Sequence, residues 1–214
     1  VGSEMCIRDS VTITTAAPPT FEHQKDTAMP THCAAPLTLE FTEIASPLGT
    51  LMLAATERGL VRIAFDSDDV TATKALTEAQ LCKAAHASVR APAFEPHDVL
   101  STAKDQILGF LEGDRRTFTL PLDRTLSQGF RRAVHEAIEQ IGFGERQSYR
   151  WIAERAGNPK AVRAVGTACG TNPLPIVVPC HRVVKSDGSL GGYSGGIEKK
   201  RFLLALEEGD APRA

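Results

Sequence analysis

The chain carries both an alternating apolar pattern, in its first strands, and apolar residues at helical spacing, so the fold has to combine sheet and helix. In the first half, Leu37, Leu39 and Phe41 alternate with polar neighbours, and Ser46, Pro47, Leu48 and Gly49 read as a turn. Residues 50–55 and 60–65 flank Thr56, Glu57, Arg58 and Gly59, the pattern of a hairpin closed by a glycine-containing loop. A helix is expected over 70–86. A second should start with Asp98 as N-cap, turn Ile107, Leu108 and Leu111 inward, and stop at Gly113. Residues 117–120 make a further short element ending at Pro121, so 37–122 reads as a small α+β domain.

Residues 123–208 read as a second, helical domain. Phe130, Val134, Ala137 and Ile141 fall on one stripe of an amphipathic helix that should run to Gly142–Gly144. Ser148 is placed to cap a helix through Ala156, Gly157 to close it, and Asn158 with Pro159 to open the next as N-cap and first helical residue. Two short helices around a glycine-bearing turn make a helix-turn-helix candidate. On the second of them, 160–168, Val162, Val165 and Cys169 should pack inward. Ala161, Ala164 and Ala168, with Gly166 close by, form a neighbouring stripe of small residues. Such a stripe suits either tight helix–helix packing or the wall of a groove.

The remaining segments carry less. Residues 1–36 include TTAAPPT and show no amphipathic period, and they are set outside the fold as a tail, as are 209–214. The stretch Val1–Ser10, with MCIRDS, reads as extraneous, and Met29 is a candidate start. No apolar run is long enough to span a bilayer, which excludes an integral membrane helix. Five cysteines, Cys6, Cys33, Cys82, Cys169 and Cys180, are odd in number and irregularly spaced, without a CxxC pair. That favours a reducing, cytoplasmic compartment over a disulfide framework. His32 beside Cys33 is too isolated to argue for zinc.

The net charge of −2 offers no general case for a nucleic-acid partner, but its distribution does. Residues 131–207 hold 12 Lys and Arg against 7 Asp and Glu, a local +5, and the rest of the chain carries −7. A basic helical half fits an electrostatic footprint on phosphates, although charge runs are commonly solvated faces.

The stretch IVVPCHRVV, 176–184, places a Pro–Cys–His break between two β-branched runs. A thiol is a poor nucleophile until deprotonated, and a nearby imidazole can promote that. Adjacent residues in a strand face opposite ways, so His181 would need a turn or an intervening water to reach Cys180. A buried structural cysteine is the competing reading.

This motif, preceded by NPLPI and followed by GYSGG, resembles the O6-alkylguanine-DNA alkyltransferases, also called methylated-DNA–protein-cysteine methyltransferases. The likeness runs over 37–208 and is strongest from Tyr149 to Glu207, through AGNPKAVRAVGTACGTNPLPIVVPCHRVVKSDGSLGGYSGG. SPLGTL and FLEGDRRTFTLPLD match the family's amino-terminal domain more loosely. The resemblance implies an α+β protein: a small ribonuclease-H-like α/β domain, then a helical winged-helix-like domain with a helix-turn-helix. It implies a monomer that binds duplex DNA containing O6-alkylguanine, flips the base, and moves the alkyl group irreversibly to Cys180, with O4-methylthymine as a second substrate. No cofactor or metal is implied.

The same resemblance distributes roles. His181 would act as base through a water, Glu207 would orient that imidazole (Glu208 competes in register), and Asn172 would tie together the turns before the active-site strand. Tyr193 would donate to ring N3, the Ser194 backbone would serve the O6 region, and the carbonyls of Cys180 and Val183 would select the exocyclic amine. Pro175 would form an apolar wall. Arg163 would fill the vacated stack, Tyr149 would help rotate the 3′ phosphate, and the small residues Ala161, Ala164, Gly166 and Ala168 would admit the helix to the minor groove. Gly170, Cys169 and His135 depart from residues common in the family. A lesion-binding protein without transfer activity and an unrelated Cys–His hydrolase are the alternatives.

Overall fold

A computed structural model describes residues 9–13, 37–66, 69–84 and 95–209. The expected hairpin is present within a four-stranded antiparallel sheet of order β1 (Asp9–Ile13), β2 (Leu37–Ile44), β3 (Leu51–Thr56) and β4 (Gly59–Phe65). β1 is a departure from expectation, because part of the segment set outside the fold pairs with β2, Val11 opposite Leu39. The remainder of 1–36, including His32, Cys33 and Met29, lies outside the described residues, as do 210–214.

β3 is buried at every position, as its unbroken apolar run requires of a strand covered on both faces. One face, with Leu39, Phe41, Met52, Ala54, Val61 and Ala64, meets Leu81 of α1 (Val70–Ala84) and Leu126. The other carries Ile44, Leu51, Leu53, Leu60, Ile63 and Phe65 against α2 (Pro96–Leu111). A bulge at Ala54/Ala55 makes Val61 the extra residue of β4, so Leu60 and Ile63 share a face despite their odd spacing.

α2 begins earlier than expected. Glu95 is its N-cap and Pro96 its first residue, a position where proline's missing N–H costs nothing, and Asp98 sits inside the first turn. Val99, Leu100, Ala103, Ile107, Phe110 and Leu111 are buried along its length, while Leu108 is only half-buried. Residues 117–120 form no regular element. The side chain of Gln106 holds them instead, accepting from Thr119 N at 2.8 Å. The chain then passes so close to Gly59 that a Cβ there would lie 2.3 Å from the Pro121 carbonyl. Leu60 N donates to that carbonyl at 2.9 Å.

The second half packs α3 (Phe130–Ile138), α4 (Tyr149–Arg155) and α5 (Val162–Gly170) together. α3 ends before Ile141, which is still buried because a turn carries it back into the core. Ser148 caps α4 as expected, its hydroxyl accepting from Trp151 N at 3.1 Å. Gly157, at φ +81°, closes α4 in the left-handed conformation, and Asn158 N reaches back to the Ala153 carbonyl. Asn158 and Pro159 do not open α5. Their turn is separate, with Ala161 N on the Asn158 carbonyl, and Ala161 is the N-cap. A parallel pair, β5 (Gln147–Ser148) and β6 (Val183–Val184), and α6 (Ile197–Glu208) complete the domain. One hydrophobic cluster runs without interruption from the sheet face through α2 to α3, α4, α5 and Cys180.

Candidate active site

Cys180 opens a single 3-10 turn, Cys180–Arg182, that leads directly into β6. The segment before it is not a strand but a tight turn, closed by Val178 N on the Leu174 carbonyl at 2.8 Å, with Ile176 at φ +74°. A β-branched residue in that region is strained and persists only where its surroundings fix it. Asn172 supplies much of that fixing. Its Oδ1 accepts from Leu174 N at 3.0 Å, and its Nδ2 donates to the Val178 carbonyl at 2.9 Å and to Cys180 Sγ at 3.2 Å. Asn172 therefore touches the thiol itself.

The chain turns at Cys180, and the His181 ring reaches α6. Its Nε2 lies 2.8 Å from Glu207 Oε1. With Glu207 ionised, that bond places the imidazole proton on Nε2 and leaves Nδ1 as an acceptor. Nδ1 is buried and has no hydrogen-bond partner among the described residues. Glu207 is 8% exposed, and its Oε2 accepts from Gly144 N at 2.9 Å. Arg182 holds the same carboxylate through Nε and Nη2, at 2.8–3.1 Å, while its Nη1 donates to the Ile141 carbonyl at 2.6 Å. Glu208, the register competitor, faces outward and pairs with Arg146.

The electrostatics follow from burial. Desolvation pushes the Cys180 thiol up to about 11, opposed by the Asn172 hydrogen bond and the Lys200 cation. Burial also lowers His181, against the pull of Glu207, so the ring is held neutral. Burial alone would raise Glu207, yet hydrogen bonds from His181 and Arg182 outweigh it and bring the carboxyl down to about 2. The resting site is thus a neutral thiol and a neutral imidazole backed by a carboxylate.

Tyr193 stands edge-on to His181, ring centroids 6.5 Å apart. Its hydroxyl is buried without a partner among the described residues, and desolvation raises its pKa well above the ordinary value, so it stays protonated. Pro175 is buried and Ser194 exposed. The Val183 carbonyl is occupied on one side by Lys200 Nζ at 2.6 Å, and the Cys180 carbonyl by Val183 N. Each oxygen has a second lone pair. Tyr149 is half-buried beside the thiol: burial first, then Cys169 and Cys180, push its hydroxyl up to about 12, and a Cβ on Gly191 would meet that hydroxyl at 2.8 Å.

On α5, Arg163 and Ala164 are exposed together with Thr167, Gly170 and Thr171, and Ala161 and Gly166 are half-buried. Ala168 departs from the expected stripe. It is 4% exposed, turned into the core, and its carbonyl bonds His135 Nε2 at 3.1 Å. His135 thereby ties α3 to α5, with Ser127 Oγ on its Nδ1 at 2.8 Å.

Sequence reasoning gave no role to Arg182 or Lys200. Arg182 stands inside the PCHR motif and could have been suspected there. Lys200 gave no signal, since it lies in a Lys–Lys–Arg run that reads as a solvated face, yet it is 0% exposed and bonds the carbonyls of Val183 and Leu190.

Two family models match the chain: the ribonuclease-like domain of 6-O-methylguanine DNA methyltransferase over residues 40–124, and its DNA binding domain over 129–209. The constitutive methylated-DNA–protein-cysteine methyltransferase of Bacillus subtilis (strain 168) is 38% identical over 168 residues, 78% of this chain and 94% of that protein. The corresponding protein of Mycolicibacterium paratuberculosis is 36% identical over 174 residues, 81% and 95% of the two chains. A crystal structure of Mycobacterium tuberculosis OGT in complex with DNA superposes with a TM-score of 0.62 at 36% identity, covering 79% of this chain and 93% of that one. The expected fold class, a ribonuclease-like α+β domain followed by a helical DNA-binding domain, is the one found. The chain belongs to the 6-O-methylguanine DNA methyltransferase family.

Proposed function

We propose that this protein repairs O6-alkylguanine, and O4-methylthymine, in duplex DNA by direct transfer of the alkyl group to Cys180. The observation that carries the reading is the constellation around the thiol: Asn172 on Sγ, a neutral His181 with Nδ1 unpartnered, and Glu207 on Nε2. A thiol held up to about 11 needs a base, and His181 serves through a bridging water. Its Nδ1 takes the proton, and Glu207 stabilises the imidazolium that forms.

The thiolate sulfur then attacks the alkyl carbon. A C–S bond forms, the C–O6 bond breaks, and the electron pair departs with guanine. The protonated Tyr193 hydroxyl donates toward N3 of the departing guanine anion, and the proton that His181 took from the thiol passes to that guanine, leaving a neutral base and a neutral imidazole. A thioether does not hydrolyse, so each molecule acts once. No cofactor enters this balance.

The target base has to leave the stack, at a cost of a few kcal/mol. Arg163 would fill the gap from the exposed face of α5, Ala161, Ala164 and Gly166 would admit that helix to the minor groove, and Tyr149 would act on the 3′ phosphate. Pro175, the Ser194 backbone and the carbonyls of Cys180 and Val183 would line the pocket. The basic 131–207 segment supports approach to phosphates. The domain division at 122/123 gives each half one task, scaffold and chemistry. A reaction that needs a free thiol belongs in a reducing compartment, here the cytoplasm. Among the described residues no helix is long and apolar enough to cross a membrane. A Cys180→Ala variant should bind an O6-methylguanine duplex but leave its methyl in place; transfer by that variant would make another cysteine the acceptor.

A further inference from the structure

The end of β4 reaches three separate pieces of the candidate site. Ile63 N donates to the Pro173 carbonyl at 2.8 Å, next to Asn172, which holds the thiol. Phe65, 2% exposed, lies 5.8 Å from the Tyr193 ring centroid to centroid. The loop carrying Tyr193 crosses that ring so closely that a Cβ on Gly195 would sit 2.7 Å from its carbon atoms, so only glycine fits there. Asp66 accepts from Lys199 Nζ at 2.7 Å at the start of α6, and the same ammonium stands 5.5 Å over the Phe65 ring.

We propose that Phe65 and Asp66 are specificity-determining positioning residues: they clamp the 191–196 loop and thereby set the depth and width of the pocket between Tyr193 and Cys180. The inference rests on the transfer activity proposed above. Neither residue need touch DNA. Phe65 fixes Tyr193 by packing on its ring and on the Gly195 backbone, and the Asp66–Lys199 pair fixes the other end of the loop where α6 begins. With the clamp loosened, Tyr193 loses its alignment with a small alkylated base, while a bulkier alkyl group gains room. The domain that carries no chemistry would then decide which lesions react fast.

The test is single-turnover transfer to the full chain from duplexes carrying O6-methylguanine or O6-benzylguanine, resolved into a binding and a transfer step, with undamaged-duplex affinity measured alongside. The wild type comes first: failure to methylate Cys180 would sink the proposed function, whatever the variants do. Given transfer, Phe65→Ala should slow the methyl-transfer step by about ten- to a hundredfold, the scale expected when a reacting group is misplaced by an ångström. Affinity for undamaged duplex should be unchanged, and the benzyl-to-methyl rate ratio should rise. Asp66→Ala, which keeps the core ring, should move both readouts the same way by less, and the exchange of Asp66→Lys with Lys199→Asp should recover most of the loss. Unchanged rates and ratio in Asp66→Ala and Phe65→Leu would overturn the proposal. So would losses in equal proportion for both substrates, which is what a merely structural role predicts.

Discussion

At the scale of single residues, the site is an arrangement for keeping a thiol quiet until a base is needed. Burial holds Cys180 up to about 11, so the proposed base, His181, would have to supply the thiolate at neutral pH. The lowered His181 pKa keeps the imidazole neutral further into acid than an ordinary histidine, and the wild-type transfer rate should stay flat there. In His181→Ala, hydroxide must do the work. Alkylation of Cys180 by iodoacetamide should then still climb about tenfold per pH unit above pH 9, where an ordinary cysteine has levelled off. A variant profile that flattens near the ordinary cysteine value would contradict this account. Cys180 and His181 stand in the short PCHR motif, Glu207 and Tyr193 entered through the resemblance that motif carries, and the structure brings His181, Glu207 and Tyr193 together beside Cys180. Lys200 carried no such signal. Nothing local distinguishes a lysine whose stem runs inward to two carbonyls from neighbours in the same basic run. Only the packing of α6 against the loop decides it.

At the scale of elements, period and punctuation identified most helices and strands, and failed where tertiary contacts compete with local signals. The α4 cap at Ser148 and the left-handed Gly157 were legible because each rests on a local hydrogen bond. The start of α5 was not, since Asn158 and Pro159 spend their turn potential on a separate bend before the helix begins. The small-residue stripe mixed two environments: Ala164 is exposed, whereas Ala168 is buried against His135. The two positions should therefore respond differently to the same change. Ala164→Asp should leave stability intact and weaken duplex binding by about tenfold through like-charge repulsion with phosphate. Ala168→Asp should unfold readily in urea, because it buries an unpaired carboxylate. Equal effects of both on binding and stability would refute the assignment of α5's outer face.

At the scale of the whole molecule, the two halves share one apolar cluster, and β4 supports the loops that surround Cys180. The sequence separates a strand-bearing half from a mostly helical one, but it holds no record of which side chains cross between them. Phe65 reads as one more strand residue until the Tyr193 loop is laid on it. A shared core predicts a single cooperative transition. Urea unfolding followed by the fluorescence of Trp151, on α4, and by far-ultraviolet circular dichroism, which includes the sheet, should give coincident curves. Separated midpoints would mean that the halves are energetically independent. The distribution of charge, +5 over 131–207 and −7 elsewhere, adds that DNA should be met by one half while the other supports it. The proposed reaction is a stoichiometric transfer to one sulfur, and mass spectrometry of the intact protein and its peptides after incubation with excess O6-methylguanine duplex reads it out. One methyl group should be added per protein molecule, on the peptide bearing Cys180, with repaired guanine matching it mole for mole. Continued turnover beyond that plateau, or a methyl group on any other residue, would contradict that reaction.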